Sequence, residues 1–180
     1  MIVLFFASCA SKPVKSQITK GDRSNLAFSG KGAAAGMMMD AYMGGAGVAI
    51  GVAIDEGIAK DIAANLSSRA GGFDMLALVY EELNSSAKVA DSKRKQILAT
   101  KITVETYGFH SAKGEGDTVS AWLKIRFSNK DNNLLLTYPD DFVLPAVIEF
   151  NDAKKSPELA FNTLKDATDL VLVKWISTLK

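Results

Sequence analysis

The amino-acid sequence predicts an α+β fold, in which a short antiparallel sheet of three to four strands is packed by an N-terminal helical region and a long C-terminal helix. Three patterns predict it. Ile58, Ile62 and Leu66 recur every four residues with Ala59 and Ala63 beside them, the stripe of an amphipathic helix. Val119, Ala121, Leu123, Ile125 and Phe127 alternate with Ser120, Trp122, Lys124, Arg126 and Ser128, the period of a half-buried strand. Ser156-Pro157-Glu158 combines a hydroxyl cap, a first-turn proline and an acid at the positive end of the helix dipole.

The helix through Ile58 and Leu66 is expected to end at Ala70-Gly71-Gly72, and Asp74 to cap a second helix. Phe73 and Leu78 have the spacing of a hydrophobic staple, and Leu76, Val79, Leu83 and Ala87 form its buried face. Lys93, Arg94 and Lys95 read as a solvated helix end, where cations oppose the negative dipole. The period then changes to two. Residues 97–109 give a first strand with Ile102 and Val104 inward, and 111–117 (SAKGEGD) give a glycine-containing hairpin loop. After the strand through Leu123, Asn129–Asn133 turns the chain into Leu134–Tyr138, and a short strand is expected over 146–150. The last helix runs to about Leu179, with Leu164, Ala167, Leu170, Val171, Trp175 and Ile176 covering the sheet.

Bulk composition narrows the chemistry. The 180 residues suffice for one domain with a core, and 48% apolar content is too high for a disordered chain. Twenty-one basic against twenty acidic residues leave a net charge of +1, without the basic excess that nucleic acid demands, so no nucleic-acid partner is expected. One cysteine and one histidine exclude an intrachain disulfide and fall short of the roughly four ligands of a structural zinc site. No metal and no cofactor are expected.

The single cysteine has a telling position. In MIVLFFASC, an apolar run from Ile2 to Phe6 is followed by two small residues, Ala7 and Ser8, and then Cys9. The stretch FASC at 6–9 resembles the lipobox of bacterial lipoproteins. That resemblance implies that Cys9 is the lipid-attachment residue, carrying a diacyl or triacyl group. No Lys or Arg precedes Cys9, so the natural start is expected upstream. By the same resemblance, Ala10 rather than Asp after the cysteine implies the outer membrane of a cell envelope. Residues 1–9 are thus read as signal remnant and lipobox, and 10–29 as a polar tether. Residues 55–180 are read as the α+β domain.

Between tether and domain lies an apolar segment rich in Gly, Ala and Met, residues 30–54. Gly32 with Gly36, and Gly47 with Gly51, repeat at four-residue spacing, a flat strip that admits another helix at close range. The uninterrupted apolar run, Ala41 to Ile54, is too short for the ~20 residues of a membrane span. Burial or packing on the domain is favoured over membrane contact, and these four glycines are kept as candidate partner or membrane contacts. Gly45 to Gly51 loosely matches a dinucleotide-binding glycine pattern, but the preceding MMMDAYM is a poor strand with no turn, and the chain after it does not continue as alternating β-α units.

Elsewhere, chemistry is sparse. His110 ends the first strand without a recognisable nucleophile elbow, and Asp140-Asp141 or Glu115 with Asp117 read as solvated loop acids. No catalytic residue is expected. Trp122 lies on the polar side of its strand and is either packed under a helix, the favoured reading, or part of a binding surface. A lipidated cysteine, a tether and an αβ body resemble small envelope lipoproteins, among them the lipopolysaccharide-assembly lipoprotein that plugs an outer-membrane barrel. The resemblance implies a non-enzymatic assembly or accessory role, with membrane lipid and an envelope protein as partners. The alternative is a membrane-active protein that inserts and oligomerises through 30–54.

Overall fold

The computed structural model describes residues 18–22, 25–43, 46–85, 91–111, 117–143 and 145–179. Cys9, Ala87 and Glu115 lie outside them. In chain order the elements are β1 (Ile18–Lys20), β2 (Leu26–Ser29), α1 (Lys31–Met43), α2 (Ala46–Ser67), α3 (Met75–Ser85), α4 (Asp91–Leu98), β3 (Lys101–His110), β4 (Thr118–Ser128), β5 (Asn133–Tyr138), β6 (Val147–Glu149), α5 (Phe150–Lys155) and α6 (Pro157–Thr178). This is an α+β fold.

The expected meander β3-β4-β5 is present and antiparallel. The sheet around it is larger and mixed. β1 and β2 lie end to end along β3, parallel to it, while β6 pairs with the start of β4 beyond the end of β5. The polar tether expected over 10–29 is therefore corrected at its C-terminal end, where residues 18–20 and 26–29 are strands. Polarity misleads there because β1 and β2 are short edge strands, and Phe28, at 6% exposure, is the one side chain of the pair that is fully buried.

One face of the sheet carries Ile102, Val104, Phe109, Ala121, Leu123, Ile125 and Phe127, all buried. Against it α6 lays Leu164, Ala167, Val171, Leu172 and Trp175, whose indole stacks on Phe127 at 4.3 Å. Leu170, expected on that face, is 40% exposed, because it falls about a third of a turn off the buried stripe. Thr163 and Thr168 are buried in α6 and donate their hydroxyls to the carbonyls of Leu159 and Leu164, which removes the cost of burying them.

Local punctuation follows the sequence in most places. Gly71 and Gly72 end the α2 connection with positive φ of 93° and 71°, and the Asp74 carboxylate accepts the Leu76 N–H at 2.9 Å. Asn129 holds its turn by accepting the N–H groups of Asp131 and Asn132. Two expectations are corrected. The Ser156 hydroxyl makes no cap bond, and its carbonyl instead accepts the Ala160 N–H while Pro157 starts α6. Lys93 is not simply solvated, since its ammonium donates to the Ile176 carbonyl at 3.0 Å and so closes the C-terminal turn of α6.

Glu82 on α3 is largely enclosed, with its side chain 12% exposed and 3.8 Å from the Lys165 ammonium. Burial pushes its carboxyl above the usual range, and Lys165 only partly offsets that. An acid with a raised folded pKa costs stability once ionised, so the cost grows as pH rises above about 4.3. Glu82→Gln is expected to remove this downward slope, checked by urea unfolding between pH 4 and 7. An unchanged slope would assign it to other groups.

Candidate functional site

The glycine-rich segment forms a helical hairpin from α1 and the first half of α2. Its two glycine strips face each other, so the additional helix that the spacing calls for is supplied by the chain itself. A Cβ on Gly32 would stand 1.9 Å from the Gly51 carbonyl oxygen, and one on Gly47 would stand 2.4 Å from the Asp40 nitrogen and 2.6 Å from the Gly36 oxygen. Backbone meets backbone along the whole contact. Gly47 and Gly51 are helix interior, which leaves no strand-turn-helix for a dinucleotide.

The base of the hairpin is bolted by Asp55. Its carboxylate accepts the Gly30 N–H at 3.1 Å and the Gly32 N–H at 2.7 Å, placing negative charge at the N-terminus of α1. Lys31 reaches the Asp117 carboxylate at 3.4 Å and lies 5.2 Å above the Phe150 ring, tying the same turn to the body. Further along α2, Ala59, Ile62 and Leu66 sink into the core.

The outer surface of the hairpin differs in character. Met37 is 61% exposed, Met38 74%, Met39 42%, Val48 61%, Val52 54% and Ile54 36%. Of these, Met37, Val48 and Val52 border a shallow groove of about 280 Å³ floored by glycine backbone, with Asp40 and Asp55 at its margins. Within 30–54 the glycine faces are enclosed by each other, and Met37, Met38, Val48 and Val52 point outward. Once Gly32, Gly36, Gly47 and Gly51 are spent on the internal contact, the larger residues have no core to enter. Among the described residues, no helix is long and apolar enough to cross a membrane.

Trp122 is corrected as well. It occupies the sheet face opposite α6 and is half-exposed, beside Lys124 whose ammonium lies 5.4 Å from the ring. It pairs across the ladder with Gly108, which leaves the indole a flat neighbour.

The remaining candidates are accounted for by local bonds. His110 Nδ1 and the Ser29 hydroxyl are 2.8 Å apart, a cross-strand pair that sequence separation hid. As a hydrolytic pair it is poorly equipped, because the adjacent Gly30 and Gly32 N–H groups are already given to a carboxylate that would repel an oxyanion. Asp141 accepts the Thr137 N–H and returns its own N–H to the Thr137 carbonyl, closing part of the outer edge of β5. Among the described residues, no three His, Cys, Asp or Glu gather as a metal set.

The fold and hairpin together define a two-layer αβ body bearing a glycine-locked apolar hairpin. No protein-family model, curated protein or solved structure matches this chain.

Proposed function

We propose that this chain is a lipid-tethered, non-enzymatic accessory protein of the bacterial envelope. Its α1–α2 hairpin rests in the acyl region of one leaflet, while acyl chains on Cys9 hold the body nearby. The observation that carries the reading is the uncovered apolar exterior of a hairpin whose interior is already satisfied. Thirteen residues of α1 measure about 20 Å, too short for the ~30 Å hydrocarbon core but ample for half of it. Methionine suits such a surface because its flexible thioether adapts to an irregular apolar environment. Cys9 precedes Ile18 by nine residues, a reach of about 30 Å when extended, comparable with the stretch of β3 that separates Ile18 from the base of the hairpin. Because the glycine strips engage each other, contact with lipid falls to the methionine and valine faces.

The lone cysteine makes the test clean. In a Cys9→Ser chain, Met38→Cys gives a single site for an environment-sensitive fluorophore. Emission is expected to shift to the blue on phosphatidylcholine vesicles and to be quenched by brominated acyl chains. The same label at exposed Ser177 is expected to stay in water. A label at 38 that remains solvated on vesicles overturns hairpin insertion, and mass spectrometry of the native membrane protein tests acylation at Cys9 separately.

A further inference from the structure

β2 pairs with β3 alone, so its other edge carries no strand among the described residues. Backbone groups alternate in direction along a strand. Ala27 and Ser29 turn towards β3, since the nitrogen and oxygen of Ala27 lie against Gly108 and the Ser29 carbonyl accepts the Ser111 N–H at 2.9 Å. Leu26 and Phe28 therefore turn outwards. Gly30, next in that series, does the same, and its N–H reaches Asp55 on α2 at 3.1 Å. The N–H and C=O groups of Leu26 and Phe28 have no partner among the described residues, although Phe28 is only 6% exposed. Unpaired backbone groups at so enclosed a position are rare. Beside them a groove of about 490 Å³ lies between β2 and α2. Val52, Glu56 and Ala59 line it from α2, and Asp22 and Asn25 from the connection between β1 and β2. Asp55 also borders it but is spent on the Gly30 and Gly32 N–H groups. Asp22 and Glu56 are exposed and unpaired among the described residues, of which no Lys or Arg lines the groove.

We infer that this groove takes an extended peptide of a partner protein, with basic and aliphatic residues in alternation, added to the sheet as a strand along β2. The open N–H and C=O groups of Leu26 and Phe28 are satisfied together by an extended backbone, which presents both kinds of group along one side. Asp55 already holds the Gly30 N–H, so the open edge stops there and the added strand is short. Because side chains alternate along a strand, one set lies on the α2 side, where Val52 and Ala59 admit aliphatic groups. The unmatched carboxylates of Asp22 and Glu56 select Lys or Arg in the peptide and disfavour acids. The inference is independent of lipid: it needs the β2 edge and α2, and holds whether or not the hairpin enters a leaflet.

The test titrates two acetylated, amidated peptides, KVKVK and EVEVE, into the isotope-labelled full-length Cys9→Ser chain and follows its amide resonances. Those of Leu26 and Phe28 are expected to move and saturate with the lysine peptide, and the glutamate peptide to bind about tenfold more weakly. Asp22→Lys with Glu56→Lys, both at exposed positions, is expected to reverse that order, and Glu56→Lys alone serves if the pair folds poorly. Methylating the nitrogens of alternate peptide residues is expected to abolish binding in one phase and spare it in the other, as for a strand bonded along one edge. Leu26 and Phe28 resonances that stay in place at millimolar peptide overturn the inference, as does equal binding of the two peptides. Slow amide exchange at Leu26 and Phe28 in the free chain that quickens on deleting residues 10–17 would give the edge to this chain's own upstream segment and overturn the partner.

Discussion

Gly108→Ala is expected to destabilise the protein by on the order of 3–5 kcal/mol, combining backbone strain with steric conflict. Gly108 sits mid-strand in β3 with φ of 152°, outside the comfortable range of an L side chain. Its missing Cβ would meet the Ala27 oxygen at 1.8 Å, the Ala27 carbon at 2.7 Å and the Ala27 nitrogen at 2.8 Å. All three are backbone atoms of β2, so no rotamer change relieves the clash and β2 itself must move. That strand carries Phe28 into the core and runs directly into the base of the hairpin. Equilibrium urea unfolding provides the measurement, with Gly71→Ala as the comparison. Gly71 also has positive φ, but open space surrounds it, and its substitution is expected to cost about 1 kcal/mol. If the two variants lose the same stability, β2 is not held against β3 in the manner described.

The same glycine shows why part of the fold was hidden in the sequence. Nothing near Gly108 in the chain announces that β2 lies against it, because their pairing spans about eighty residues and leaves no periodic trace in a four-residue strand. Thr118 to Ser128 is legible because eleven residues of strict alternation report a face that is buried along its whole length. β1 and β2 report almost nothing, being too short for a period to repeat. The glycine spacing in 30–54 correctly signalled a close helix contact but could not name the partner, since a strip of small residues is the same whether it meets its own chain or another. The exposure of Met37 to Met39 follows only once that partner is known. Asp55 as a bolt, Asp141 as an edge closure and Lys93 as a cap on α6 are likewise tertiary facts. Each looks like an ordinary surface charge until the backbone group it satisfies is brought beside it.

Substituting alanine at both Gly32 and Gly47 is expected to separate α1 from α2, lowering the free energy of hairpin opening by about 2–4 kcal/mol. The sign is not obvious in advance, because alanine is the better helix former by about 1 kcal/mol per site. The decision comes from what each new methyl meets. At Gly32 and Gly47 it meets backbone closer than any real Cβ contact, so the helices must part and lose their interface. At Gly57, six residues beyond Gly51 in α2, it meets nothing within 4 Å, and Gly57→Ala is expected to stabilise by about 1 kcal/mol through propensity alone. Amide hydrogen exchange reads the two effects apart. Protection in α1 should collapse in the double variant, whereas the body, held by Ile62, Leu66 and the Phe127–Trp175 stack, should keep its own. If the proposed lipid contact depends on a paired hairpin, the blue shift of a label at position 38 should fall in the same variant and persist in Gly57→Ala. Retained protection across α1 in the double variant would mean that the two helices do not meet backbone to backbone, and the apolar exterior would then need a different origin.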